Sequence, residues 1–285
     1  MKPKNFLFND YLRYSYCDFS LSFQNTVREK YNSPSELFQN YKTHDLTKKQ
    51  KQKIETSEGM DFSLKEQELR DKGIDLLVWE DDDYPVLLRD IYAPPMMLFV
   101  LGNRKYLNSD CIGVVGSRRY TPYGRSLAED FSHKLSSNGI TVVSGLAAGI
   151  DSFAHKGALK GGATIGVMAT GIDLCYPAFN ISLKEHIARS GCVITESYPG
   201  LAAAPFRFPI RNRLISGLSR AVIVIEARIR SGSLITARTA IEQGRDVYAI
   251  PGDINRISSE GANYLIKSAM AFPLLNISEI IGEDL

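Results

Sequence analysis

Six short runs rich in valine and isoleucine punctuate the chain from Cys111 onward, and each pair is separated by enough sequence for one helix. The runs are CIGVVG, ITVVSG, ATIGVMA, CVITES, AVIVIEA and DVYAIPG. Strands joined through a helix must cross over rather than turn back, and repeated crossovers build a parallel sheet buried on both faces. The sequence therefore predicts an α/β fold: a Rossmann-like doubly wound, mostly parallel sheet. A chain of 285 residues with 44% hydrophobic residues has enough apolar surface for such a core.

Residues 1–75 have a different character. They are rich in lysine, glutamate, glutamine and tyrosine, with helical spacing at Tyr11, Leu12 and Tyr14 and again at Ile54, Leu64 and Leu69. We read a small helical domain over 1–75 and the Rossmann-like domain over 76–285. Residues 76–110, with LLVW, the EDDDYP turn and Pro94-Pro95, are read as a connector. KKQKQK, Lys48 to Lys53, reads as a solvated helix face and receives no function.

Composition excludes several classes. No apolar stretch reaches the roughly 20 residues of a membrane span, and the N-terminus lacks the apolar core of a signal peptide, so a cytoplasmic location is expected. Cys17, Cys111, Cys175 and Cys192 never form CxxC, which argues against a disulfide framework or zinc. A net charge of +2 does not announce a nucleic-acid partner by itself. Its distribution is uneven, however: between Phe206 and Arg245 stand eight arginines, no lysine and only two acids, Glu226 and Glu242.

In open parallel sheets ligands lie beyond the carboxyl ends of the strands, where helix N-termini favour anions. Here those ends carry Gly116-Ser117-Arg118-Arg119, then SGLAAGID from Ser144 through Gly145 and Gly149 to Asp151, and Ser231-Gly232-Ser233-Leu234-Ile235-Thr236. Each loop alone is ordinary turn chemistry, but Arg118 directly after a strand is placed for bidentate phosphate contact. Arg211 and Arg213 flank Asn212 after Pro209, and one of the two is expected to pair with Glu196 or Glu226 as scaffolding. One of Phe206 and Phe208 is expected to stack on an unpaired base. Neither GxGxxG nor a Walker A motif is present, and no cofactor or metal is expected. Asp151 and His155, four residues apart on one helix face, are read as a cap and a packing residue rather than an acid–base pair.

Together the motifs resemble one family. YPVLLRDIYAPPMMLFVLG, VVGSRRYTPYG, VVSGLAAGIDSFAHKGAL, GIDLCYPAFN, FRFPIRNRLISGLS, EARIRSGSLITARTAIEQGRDVYAIPGD and GANYLIKSAM occur in the order of the DprA (Smf) family of bacterial transformation, over about residues 76–270. The helical module before them resembles that family's SAM-like domain. The resemblance implies a homodimer that binds and protects single-stranded DNA, helps load the RecA recombinase, and carries no catalytic residue. It places Gly116, Ser117, Arg118, Ser144, Gly145, Gly149, Phe208, Arg211, Asn212, Arg213, Ser231, Gly232, Ser233 and Thr236 in the DNA site. Two departures stand out. Relatives often carry a basic residue where this chain has Ile181 after Asn180, with Lys184 further along; many also continue into a winged-helix-like domain, for which ISEIIGEDL is too short. The alternative is a nucleotide-hydrolysing enzyme of the lysine-decarboxylase-like type, whose PGGxGT motif is replaced here by RSGSLIT after Glu226.

Overall fold

The computed structural model describes residues 4–282, so the extreme ends of the two expected domains, 1–3 and 283–285, lie outside it. Five helices come first: α1 (Lys4–Tyr16), α2 (Leu21–Lys30), α3 (Pro34–Asn40), α4 (Lys48–Ser57) and α5 (Ser63–Asp71). Serine or threonine side chains cap three of them: Ser20, Ser33 and Thr47, the last in a reciprocal capping box with Gln50. The strands β1 (Ile74–Val78) and β2 (Met97–Gly102) follow, with the short helix α6 (Val86–Arg89) between them. The alternating part is β3 (Cys111–Val115), α7 (Pro122–Ser137), β4 (Thr141–Ser144), α8 (Ile150–Gly161), β5 (Thr164–Val167), α9 (Ile181–Ser190), β6 (Cys192–Thr195), α10 (Arg207–Leu218), β7 (Ala221–Val224), α11 (Gly232–Glu242) and β8 (Asp246–Ala249). Then α12 (Glu260–Lys267), the edge strand β9 (Phe272–Pro273) and α13 (Ser278–Ile281) complete the described chain.

All nine strands join one sheet in the order β1-β2-β6-β5-β4-β3-β7-β8-β9. The six runs of the sequence are its parallel centre, β3 to β8, as the pattern of crossovers requires. The 76–110 stretch expected as a connector instead carries β2 and most of β1, paired antiparallel to each other and to β6. Strand alternation divides the core. Ile112 and Val114 of β3 pack against α7 and α8 on one face, while Cys111 and Val115 pack with α10 and α11 on the other.

The N-terminal helices are packed onto the sheet. Tyr11, Phe23, Leu37 and Ile54 share one apolar cluster with Met97 and Phe99 of β2 and Ile187 of α9. Trp79, just after β1, packs against the guanidinium groups of Arg28 and Arg89, at 3.6 and 4.6 Å from its ring centre, and the first contact ties α2 to the sheet edge. Leu64, expected from its spacing to lie on a helix, does lie on α5 but is 77% exposed and adds nothing to that core. No helix among the described residues is long and apolar enough to cross a membrane.

The strand order reverses at β3, from which the chain first builds outward through β4, β5 and β6 and then returns to add β7 on the other side. Such a switch point leaves a crevice at the strands' carboxyl ends.

Candidate nucleic-acid interface

A cavity of about 340 Å³ occupies that crevice. Its walls come from three strand ends and one helix: Gly116 to Arg119 after β3, Ala147 and Asp151 after β4, Arg228 and the Ser231–Ser233 turn with Thr236 after β7, and Phe208, Arg211 and Asn212 from α10.

Arg118, Arg119 and Arg228 are exposed on this cavity, and among the described residues none has a carboxylate within ion-pair distance. The Arg118 guanidinium lies over the Phe208 ring, 4.8 Å from its centre, and Phe208 in turn packs against Tyr176. The ring holds the cation in place without neutralising it. Ser117 closes its own turn, donating to the Arg119 carbonyl oxygen at 2.7 Å and accepting from the Arg119 amide at 3.0 Å. Ser231 caps α11 by accepting from the Leu234 amide, and its hydroxyl contacts that of Ser233 at 3.0 Å. The first amides of α11, at Gly232 and Ser233, have no intrahelical acceptor, so a helix N-terminus adds its positive end to the arginines.

Beneath this free charge lies a second set of polar groups, buried and hydrogen-bonded to the fold. Arg211, 5% exposed, donates to the carbonyl oxygens of Gly145 and Val167 and, at 3.1 Å, to Asn212 Oδ1. Burial lowers its pKa to about 10, which leaves it charged at neutral pH. Asn212 passes the constraint on, donating to the Gly232 carbonyl oxygen at 3.2 Å. Asp151 is buried, which raises its pKa; the Arg211 charge and the amides of Ala147 and Gly145 act the other way and keep the β4–α8 loop folded over it. Glu226 accepts from the amide of Thr121 at 2.9 Å and from its hydroxyl, anchoring the start of α7.

Four of the expected site residues lie behind the cavity rather than on its walls. Arg213 points away and pairs with Glu196, side chains 5% and 15% exposed, so it is the scaffolding arginine of the triplet. Ser144 is fully buried and donates to the Val114 carbonyl oxygen at 2.7 Å, tying β4 to β3. Gly145 and Gly149 act through their missing side chains. A Cβ on Gly145 would stand 2.6 Å from the Arg211 guanidinium, and Gly149, with φ +85°, would put one 2.4 Å from the Ser117 carbonyl oxygen. Gly116, Ser117, Arg118, Phe208, Arg211, Asn212, Ser231, Gly232, Ser233 and Thr236 all come together on the walls. Arg119 and Arg228 join them, and both were legible as arginines at strand ends.

His155 contacts the Thr164 hydroxyl at 2.7 Å through Nδ1; that hydroxyl donates to Val142, which makes Nδ1 the donor. Burial lowers its pKa to about 3, consistent with a packing residue. Lys184 does not replace a basic residue at Ile181. It is buried and donates to the carbonyl oxygens of Ile172 and Leu174, whereas Ile181 is 58% exposed.

The model of the family described as DNA recombination-mediator protein A matches residues 75–283. Among curated proteins, the DNA processing protein DprA of Streptococcus pneumoniae is 47% identical over 188 residues, 66% of each chain. The chain spans between about half and two thirds of the length of this and the next two curated relatives. Among solved structures, DNA processing protein A from Streptococcus pneumoniae superposes with a TM-score of 0.80 at 34% identity, covering 97% of this chain and 98% of that one. The protein of the same name from Helicobacter pylori, whose structure concerns its single-stranded DNA binding mode, gives 0.68 at 30% identity over 73% and 94%.

Proposed function

Because the chain belongs to the DNA recombination-mediator protein A family, we propose that the cavity at the switch point binds single-stranded DNA and that the protein acts in DNA processing during recombination and transformation. The observation that carries this reading is the set of three exposed arginines, Arg118, Arg119 and Arg228, which among the described residues have no carboxylate partner and which surround one cavity that also presents an aromatic ring. Arginines and backbone amides read phosphate, and Phe208 offers a face to any base, so binding is strong but little dependent on sequence. A crevice of this size accepts one strand and excludes a duplex.

In this reading residues 76–285 form the DNA-binding domain and 1–75 a helical module attached to it. The protein works in the cytoplasm, protects the strand, delivers it to RecA, and turns over no substrate. It acts as a homodimer: Phe272 and Leu275, at and beside the edge strand β9, are 59% and 78% exposed, an apolar edge that a second copy would cover. Two pockets on one particle raise avidity for long strands.

The test is anisotropy of a labelled poly-dT oligonucleotide with unlabelled duplex as competitor. Tight binding that the duplex fails to displace supports the reading. No binding, together with release of free base from a nucleoside monophosphate, would favour the hydrolase instead.

A further inference from the structure

A second and larger cavity, of about 500 Å³, opens between the N-terminal helices and the sheet. This volume lies in the range of roughly 300–1,000 Å³ usual for pockets that enclose a small organic group. Phe19, Phe23, Met96, Met97 and Met168, all buried, contribute apolar walls. Methionines and aromatic rings adapt to flat aromatic ligands, with favourable sulfur–ring contacts.

The charge at its rim is positive. Asp18 is taken up by Arg207 in a bidentate pair at 2.9 and 2.7 Å, and Glu196 by Arg213. That leaves Lys49 and Lys53, one turn apart on α4, facing the cavity with no carboxylate among the described residues within ion-pair distance; Lys53 also donates to the Asp18 carbonyl oxygen. These lysines belong to the KKQKQK run, which composition alone leaves without a role.

The two cavities share a wall. Arg211 lines both, and the first turns of α10 separate them, with Phe206, Arg207 and Ile210 facing the larger and Phe208, Asn212 and Ile215 the smaller. A helix is about 10–12 Å across, a distance that about three stacked nucleotides cover at ~3.4 Å each. Phe206, 58% exposed, stands on the lip of the larger cavity.

Resting on the single-strand reading above, we propose that this second cavity receives one base of the same strand, with Phe206 stacking at its lip and Lys49 and Lys53 taking the adjoining phosphate. The N-terminal helices then form part of the DNA site and lengthen its footprint.

The test compares wild type, the double variant Phe206→Ala with Lys49→Glu, and Arg118→Ala, using labelled poly-dT of about 4 and about 12 nucleotides, lengths within the usual footprint of single-strand sites. Both residues of the double variant are exposed, so its core stays intact. The expected result is that the double variant binds the long strand roughly ten-fold more weakly and the short one like wild type, whereas Arg118→Ala weakens both. A double variant that binds both lengths like wild type while Arg118→Ala fails would overturn the proposal and leave the single-strand reading standing. Equal weakening at both lengths would mean that α4 contributes only general attraction, which also overturns the base-binding assignment. Failure of wild type to bind either length would remove the single-strand reading itself, and this proposal with it.

Discussion

Arg118 and Arg211 line the same cavity, and the chain uses their identical side chains in opposite ways. Arg118 is exposed, its guanidinium rests over the face of Phe208, and its charge is available to a ligand. Arg211 is buried and spends its donors on Gly145, Val167 and Asn212, which fixes the ends of β4 and β5 relative to α10. Arg213 lies deeper still, against Glu196. The upper layer is chemistry presented outward and the lower layer is the frame that presents it. Substitutions in the lower layer should therefore cost stability first, and those in the upper layer should cost affinity without stability.

The largest expected effect is at Arg213→Ala. Removing one partner of a buried ion pair typically costs about 3–5 kcal/mol because the other charge is left alone, and Glu196 would be that charge. Urea unfolding checks this; a loss under about 1 kcal/mol, the range of an exposed pair, would place Arg213 in the upper layer. Next comes the pH response of His155. Its folded pKa of about 3 lies below the ordinary 6.5, so the unfolded chain takes up the proton more readily. The stability this gives is present above about pH 6.5 and is lost as pH falls toward 3. His155→Gln should show a shallower decline in urea midpoint between pH 7 and pH 4 than wild type, and an unchanged slope would mean that the imidazole is not shielded from water.

Gly149→Ala tests the junction of the layers. The positive φ and the approach to Ser117 together cost about 1–3 kcal/mol, and because the clash is with the turn bearing Arg118, affinity should fall with stability. Wild-type melting and binding in the Gly149→Ala variant would show that the loop has room to relax. The smallest effect is a gain. Ile181→Lys adds a cation to the upper layer near the β4–α8 loop, to which Asn180 is bonded through the Leu146 carbonyl oxygen at 2.9 Å. The slope of log affinity against log salt should steepen by about 0.7, the increment for one phosphate on a single strand. An unaltered slope would place Ile181 off the strand's path.

The six parallel strands were legible because each is a β-branched run bounded by turn residues, fully buried in β3 to β7 and buried at Val247 and Ala249 in β8. IDLLV and MLFVLG were not read as strands, since neither has a helix-length crossover to announce it and their pairing spans the proline-rich segment between them. Which arginine faces outward was only half legible. Spacing placed Arg118, Arg211 and Arg213 near the strand ends, and the expectation that one of the triplet would pair with Glu196 or Glu226 is met by Arg213. That Arg211 is also engaged could not be read, because two of its three partners are backbone carbonyl oxygens, at Gly145 just after β4 and at Val167 of β5, a group that any residue type contributes alike. Lys184 is similar: nothing in its place on α9 shows that the loop after β5 folds back to accept both of its hydrogen bonds.

The most direct measurement is the salt dependence of poly-dT binding by wild type and Arg118→Ala, with thermal unfolding recorded on the same samples. The expected result is equal melting temperatures, an affinity lower by roughly ten-fold in the variant, and a log–log salt slope shallower by about 0.7. A variant that binds as wild type does, with the same slope, would contradict the assignment of this cavity to a DNA strand.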